Sequence, residues 1–173
     1  MNRVCLLAGL LPLLGIGLRA ADWPQFLGPD RNNVSRQEKN LKPWPKDGPR
    51  KLWDHKVGSG WSAPVAAAGK GLIFHRRNGD EIVDCLDAAS GNPVWQFISP
   101  TDYVDGFNFD NGPRATPAIA NGRVYLFGAD GNLHCVRFAD GKKVWSVNLQ
   151  KTLGTPSGFF GLACSPLVHA GSV

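Results

Sequence analysis

The side chains able to do chemistry in this 173-residue chain are few and scattered. The densest group lies between Ser99 and Gly112, where Asp102, Asp105, Asn108, Asp110 and Asn111 offer the hard oxygens that calcium prefers. Their spacing does not follow the EF-hand pattern, and a solvated loop of turn-forming residues accounts for them better. His55, His75, His134 and His169 are dispersed, and Cys5, Cys85, Cys135 and Cys164 contain no Cys-x-x-Cys pair and no haem-attachment motif. A nucleophile elbow, a His-Glu-x-x-His helix, a phosphate-cradling glycine loop and a dinucleotide fingerprint are all missing. The sequence therefore assigns no catalytic residue, no cofactor-binding residue and no metal ligand.

What the chain does concentrate is aromatic side chains on two stretches rich in Gly, Pro and Asn. The first, Ser99 to Gly112, carries Tyr103, Phe107 and Phe109; the second, Leu153 to Phe160, carries Phe159 and Phe160. Such residues on connecting loops anchor peptides or partner strands. They also serve to fold back over the edge of their own sheet. Both readings are open at the level of sequence.

These loops are positioned by a repeat. Cys85-Leu86-Asp87-Ala88-Ala89-Ser90-Gly91-Asn92-Pro93-Val94-Trp95 aligns without a gap to Cys135-Val136-Arg137-Phe138-Ala139-Asp140-Gly141-Lys142-Lys143-Val144-Trp145, an offset of 50 residues. A second marker, a small or hydroxyl residue followed by proline, occurs at Ala63-Pro64, Thr116-Pro117 and Ser165-Pro166, with prolines 53 and 49 residues apart. Trp53 lies 42 residues before Trp95, so Lys51-Leu52-Trp53 reads as the closing strand of a preceding unit. The aromatic stretches leave from equivalent points, after Trp95 and after Trp145, and are expected on one face.

Within each unit the signals are those of short antiparallel strands. Gly71 to Phe74 and Arg123 to Phe127 are apolar, β-prone runs, each preceded by a turn, at Gly69-Lys70-Gly71 and Asn121-Gly122. Further reversals are expected at Ala129-Asp130-Gly131-Asn132 and Ala139-Asp140-Gly141. No window offers an amphipathic helix of useful length. Four short strands per unit define an all-β fold, a β-propeller of four-stranded antiparallel blades, with about two blades and part of a third present. Trp53, Trp95 and Trp145, with Gly91 and Gly141, are the expected inter-blade packing residues. Cys85 and Cys135 occupy one equivalent position and are expected to be small packing residues.

The unit Asp87-x-x-Ser90-Gly91-x-x-x-Trp95 resembles the tryptophan-docking motif of pyrroloquinoline-quinone (PQQ) enzyme repeats, with Cys85 where that pattern has alanine. The second copy keeps Gly141 and Trp145 but has Arg137 for the aspartate and Asp140 for the hydroxyl residue. The opening Asp22-Trp23-Pro24-Gln25-Phe26-Leu27-Gly28-Pro29 also resembles secreted bacterial propellers of the PQQ-like and outer-membrane-assembly-like type. The resemblance implies a propeller of seven or eight blades, in a family where several members bind no quinone. Its quinoprotein members hold PQQ with calcium, a catalytic aspartate and often an adjacent-cysteine disulfide; no Cys-Cys pair occurs here. The expected function is an exported, non-catalytic scaffold or protein-binding module. The alternative is the N-terminal part of a PQQ-dependent alcohol or sugar dehydrogenase, and only then would PQQ and calcium be cofactors.

The ends support export. Met1-Asn2-Arg3, the apolar run Val4 to Leu18 and small residues at Ala20-Ala21 read as a signal peptide over 1–20, too short and too rich in glycine to remain as an anchor. A periplasmic or secreted location follows, with no membrane span after cleavage. Residues 21–60 read as an N-terminal arm with a first strand, and 61–173 as a partial propeller. The formal charge of +5 becomes +3 without Arg3 and Arg19, and residues 61–173 carry nine basic and nine acidic groups, which disfavours nucleic acid as a partner. Missing C-terminal blades would be needed for closure, so weak folding of this piece alone is expected.

Overall fold

The computed structural model describes residues 21–36 and 42–173. The leader assigned to 1–20 lies outside the described residues, as does part of the arm. The first sheet is a four-stranded antiparallel meander of β1 (Val65–Ala67), β2 (Lys70–Arg77), β3 (Asp80–Asp87) and β4 (Pro93–Pro100). The second repeats it with β5 (Ala118–Ala120), β6 (Arg123–Phe127), β7 (Asn132–Arg137) and β8 (Lys143–Asn148). One helical turn, α1 (Leu149–Leu153), follows β8, capped by the Asn148 side chain, which accepts the Lys151 N–H, and ended by Gly154 at φ 65°.

The hairpins form where the turn chemistry demands. Ala68-Gly69, Asn78-Gly79 and Asn121-Gly122 all take positive φ at both positions, the mirror-image turn that matches strand twist. The first of these is one residue earlier than the sequence suggests, because β2 already begins at Lys70. Ala170-Gly171 repeats the geometry, with His169 and Ser172 exchanging N–H···O bonds of 3.0 and 2.9 Å, so a third unit has begun its first hairpin. Register is identical in the two sheets at the motif: Cys85 opposes Trp95, and Cys135 opposes Trp145. Both cysteines are fully buried in the cores, with Cys85 among Val65, Leu72, Phe74 and Val83. Burial pushes the Cys85 thiol up to about 11, which leaves it an inert packing group.

The sheets are joined by tryptophan. The Trp53 indole donates to the Ala88 carbonyl at 3.0 Å, and a Cβ on Gly91 would lie 2.6 Å from its ring. Trp95 repeats this one unit on, donating to the Phe138 carbonyl at 3.0 Å and leaving 2.5 Å for a Cβ on Gly141. Trp145 instead rests on its own sheet against Tyr125, at a centroid distance of 6.1 Å; among the described residues no glycine turn lies over it. Two of the three expected inter-blade tryptophans thus dock, and the third presents the same ring one unit further on. Lys51-Leu52-Trp53 forms no ladder, and the first strand among the described residues is β1. The tryptophan docks through its side chain without a strand partner for its backbone.

The second motif copy is a rearrangement of charge. In the first turn Asp87 accepts from the Ser90 N–H and hydroxyl, each at 2.8 Å. In the second, Arg137 reaches Asp140 through two bonds of 3.0 and 2.5 Å. The acid has moved three residues along while the backbone is unchanged, since the Gly91 N–H donates to Asp87 and the Gly141 N–H to Arg137, at 2.8 and 2.9 Å.

The small-or-hydroxyl marker also has a physical reason. The Ala63 N–H donates to Thr116 Oγ1 at 3.2 Å, and the Thr116 N–H to Ser165 Oγ at 2.9 Å. Each hydroxyl caps the backbone of the preceding unit. The N-terminal segment crosses the same edge: Trp23 bridges to Ala66, and the Pro24 carbonyl accepts the Ile119 N–H at 2.7 Å.

Gly91 and Gly141 have positive φ and an indole against them, whereas Gly69 and Gly122 have positive φ and open space. Alanine at Gly69 or Gly122 is expected to cost about 1 kcal/mol, the left-handed backbone penalty alone. Alanine at Gly91 or Gly141 is expected to cost at least about 2 kcal/mol more, because the ring must also leave its seat. Chemical denaturation of the four variants checks the difference.

Candidate functional site

The loop after β4 is built inward on two groups. Arg76, at the end of β2, donates to the carbonyls of Thr101 at 3.1 Å, Asn111 at 2.9 Å and Tyr103. The Asp105 carboxylate, fully buried, accepts the N–H groups of Phe107, Phe109 and Asp110 at 3.1, 2.9 and 3.2 Å and pairs with Arg114 at 3.5 Å. Burial raises its pKa, but these donors outweigh it and hold the carboxyl below its usual range. Asp110 is similarly engaged, by the N–H groups of Gly112 at 2.6 Å and Gly60 at 3.2 Å. The acidic loop directs these oxygens to its own backbone rather than outward to an ion.

With the acids turned in, the aromatics turn out. Phe107 from the first loop stacks on Phe159 from the second at 4.1 Å between centroids, and Phe160 meets Phe159 edge-on at 4.8 Å. Phe109 joins through Phe107 and Phe160, each at 6.3 Å. The four rings form one cluster, yet Phe109 and Phe159 keep 71% and 67% of their surface exposed. Of the two sequence readings, folding back onto the sheet edge does not describe these four. Tyr103 differs: it is half-buried, carries Arg114 over its ring at 5.2 Å, and leaves only 2.7 Å for a Cβ on Gly161. It braces the two loops instead of presenting itself.

Beside the cluster lies an apolar groove of about 460 Å³ lined by Trp61, Phe109, Arg114, Phe160 and Ala163. Trp61, Arg114 and Ala163 stand two residues before the proline markers Ala63-Pro64, Thr116-Pro117 and Ser165-Pro166. The groove is therefore lined by one equivalent position from three successive units, just before the proline marker of each. Sequence reasoning missed Trp61, Arg114 and Arg76; aligning the units on the proline marker exposes the first two, while nothing in the repeat singles out Arg76.

Two polar contacts lie inside, one within sheet 1 and one between the two units. Asp84 on β3 takes His55 Nε2 at 2.8 Å, His75 Nε2 at 2.9 Å and Gln96 Nε2 at 2.6 Å. His75 Nδ1 accepts the Gly58 N–H at 3.1 Å, so its proton sits on Nε2, which makes that nitrogen a donor to the carboxylate and not a metal ligand. Desolvation opposes ionisation of Asp84, but the donors prevail and lower its pKa. Glu81, only 1% exposed, reaches from the longer hairpin of sheet 1 to the Ala129 N–H of sheet 2 at 3.1 Å, over Gly128, where a Cβ would lie 2.3 Å from its oxygen. Burial, with Asp130 adding to it, pushes Glu81 up to about 7.

Two adjacent four-stranded meanders, joined through tryptophan on a glycine turn, define consecutive blades of a quinoprotein-like β-propeller. Residues 45–173 match the family described as outer membrane protein assembly factor BamB, and the chain belongs to that family. Over 88 residues it is 32% identical to the assembly factor BamB of Moranella endobia (strain PCIT), covering 50% of this chain and 22% of that one. Among solved structures, the quinohemoprotein alcohol dehydrogenase of Comamonas testosteroni superposes with a TM-score of 0.61 at 23% identity, over 87% of this chain and 22% of that one. BamB of Moraxella catarrhalis matches at 24% identity and a TM-score of 0.42, over 56% of this chain and 26% of its own. The chain thus spans about a quarter or less of each relative's length. Among the described residues no helix is long and apolar enough to cross a membrane.

A quinone with its calcium needs free carboxylates and a free cation around a flat slot. Arg114 lines the groove but is committed to the Asp110 and Gly112 carbonyls at 2.8 and 2.9 Å, and the neighbouring Asp105 and Asp110, outside the lining, are occupied by backbone N–H groups. These residues do not fit such a group on their own.

Two outcomes are expected. Asp105→Ala should release the loop, so limited proteolysis between residues 101 and 111 accelerates at least about tenfold while cleavage of the sheets is unchanged. For Glu81 the folded-state pKa lies above the unfolded one, so the unfolded chain ionises first: stability falls as pH rises from about 4.5 to about 7 and levels off above. The full effect is on the order of 3 kcal/mol. Glu81→Gln keeps the acceptor for Ala129 and should flatten this slope, with the gain seen at pH 8 and not at pH 4, read by urea unfolding across pH.

Proposed function

We propose that this chain is part of an exported, non-catalytic propeller that binds protein partners through its loop face, in the service of outer membrane protein assembly. The observation that carries this reading is the cluster of Phe107, Phe109, Phe159 and Phe160, four rings held out to solvent by loops whose polar groups are satisfied internally. Exposed aromatic clusters of this kind mark protein contact sites, since each ring contributes large apolar area at little entropic cost. The family and the named role of its Moranella relative as an assembly factor support the partner class. Likeness to the alcohol dehydrogenase concerns the fold alone.

The test uses the full-length protein. A photo-crosslinking amino acid at Phe107 or Phe159, introduced in cells of the source organism, should capture a component of the outer membrane assembly machinery; at Lys142, on the turn at the opposite end of the sheet, it should not. Phe107→Ser with Phe159→Ser should weaken that complex at least about tenfold, or about 1.4 kcal/mol, without moving the unfolding midpoint much. Titration with PQQ and calcium, followed by reduction of an acceptor dye with alcohols and sugars, supplies the opposing outcome. Calcium-dependent binding with dye reduction would replace the scaffold with a dehydrogenase.

A further inference from the structure

Every tryptophan junction described above uses the same glycine turn, so the docking contact by itself does not distinguish one blade from another. A second contact at each junction does. Two residues after Trp53 stands His55, which meets Asp84 on the third strand of sheet 1 at 2.8 Å. Two residues after Trp95 stands Phe97, which meets His134 on the third strand of sheet 2 edge-on, with centroids 5.3 Å apart and planes at 61°. Asp84 and His134 are equivalent, each one residue before the motif cysteine, and each faces the residue after the motif tryptophan across the ladder, Gln96 or Ser146.

The supporting shells differ to match. Asp84 has three donors, His55, His75 and Gln96. His134 has one bond, to Ser146 Oγ at 2.7 Å, and its buried Nε2 has no hydrogen-bond partner, so an aromatic ring is the neighbour that site tolerates. The place of His75 is taken in sheet 2 by Gly128, into which Glu81 of sheet 1 projects. Exchanging the third-strand residues would set a carboxylate against Phe97 with one donor in place of three, and would take from His55 its carboxylate acceptor.

We propose that the residue two after each docking tryptophan and the third-strand residue it meets form a matched pair that specifies which blade follows which. Hydrogen-bonded His55–Asp84 marks the first junction and aromatic Phe97–His134 the second. Val147 occupies the same place after Trp145, is half-buried and packs among Ala115, Phe127 and Leu133. The surface formed by Trp145 and Val147 accordingly takes a sheet that carries a glycine docking turn and an apolar side chain at the third-strand position.

The test is a double-mutant cycle in the full-length protein, read by urea unfolding. His134→Asp places a carboxylate against Phe97 with only Ser146 as donor and should lower the midpoint strongly. Phe97→His adds the donor found at the first junction, so the double variant should recover at least half of that loss even though it removes an aromatic contact. Additive losses, or a double variant no more stable than His134→Asp, would overturn the pairing. The reciprocal pair, His55→Phe with Asp84→His, gives the same reading if His134→Asp does not fold, and recovery of folding by the second substitution counts as support. Failure of either double variant to exceed its worse single counts against it. Loss of partner binding by the phenylalanine variants bears only on the loop face and is independent of this cycle.

Discussion

The docking of a tryptophan indole on the glycine turn of the sheet that follows it is the contact from which the rest of the structure follows. A single four-stranded meander has two faces and can cover only one with its own side chains, so its stability depends on a neighbour. Trp53 and Trp95 each remove on the order of 100 Å² of apolar surface from water against that neighbour, roughly 2.5 kcal/mol per junction. The indole N–H donates to the carbonyl of Ala88 or Phe138. That bond sets the orientation of the ring, and the ring sets the requirement for Gly91 and Gly141. Once the junctions are fixed, the loops after β4 and β8 must emerge side by side, and their phenylalanines meet.

The loop face then depends on a division of labour between polar and apolar groups. Arg76, Asp105 and Arg114 consume the polar atoms of the first loop internally, through carbonyl, N–H and guanidinium contacts. A loop that satisfies itself in this way needs no aromatic lid. Its rings are free to project, and the second loop, anchored by the Leu162 N–H on the Ala129 carbonyl at 3.0 Å, carries Phe159 and Phe160 to them. The result is an apolar surface on a loop whose polar groups are satisfied internally.

Charge plays a different part within the propeller than on its surface. Asp87 with Ser90, and Arg137 with Asp140, solve one turn in two ways, which is why a motif that looks degraded by composition is intact in geometry. Glu81, between the two units, and Asp84, within sheet 1, are both buried, the first poorly compensated and the second richly so, and their opposite pKa shifts record that difference. These interior acids distinguish the units from one another, where the tryptophans make them alike.

Most of the fold was legible in the chain because its determinants are local and repeated. Asn121-Gly122 dictates a mirror-image turn wherever it stands, and Cys-x-Asp/Arg-x-x-x-Gly-x-x-x-Trp carries its own spacing, so blade, strand order and packing residues could be read from residues a few positions apart. The aromatic loops were legible as candidates, since Tyr103, Phe107, Phe109, Phe159 and Phe160 stand out by type. What decided among them was tertiary. Tyr103 braces while the phenylalanines project, because Arg114 and Gly161, far apart in sequence from each other, both pack against the tyrosine ring. The inward turn of Asp105, the groove shared by Trp61, Arg114 and Ala163, and the pairing of His55 with Asp84 depend on contacts between units, whose geometry no single repeat contains. Sequence by itself determined the kind of unit and its order; only the packing of one unit against the next determined which side chains were left free to meet a partner.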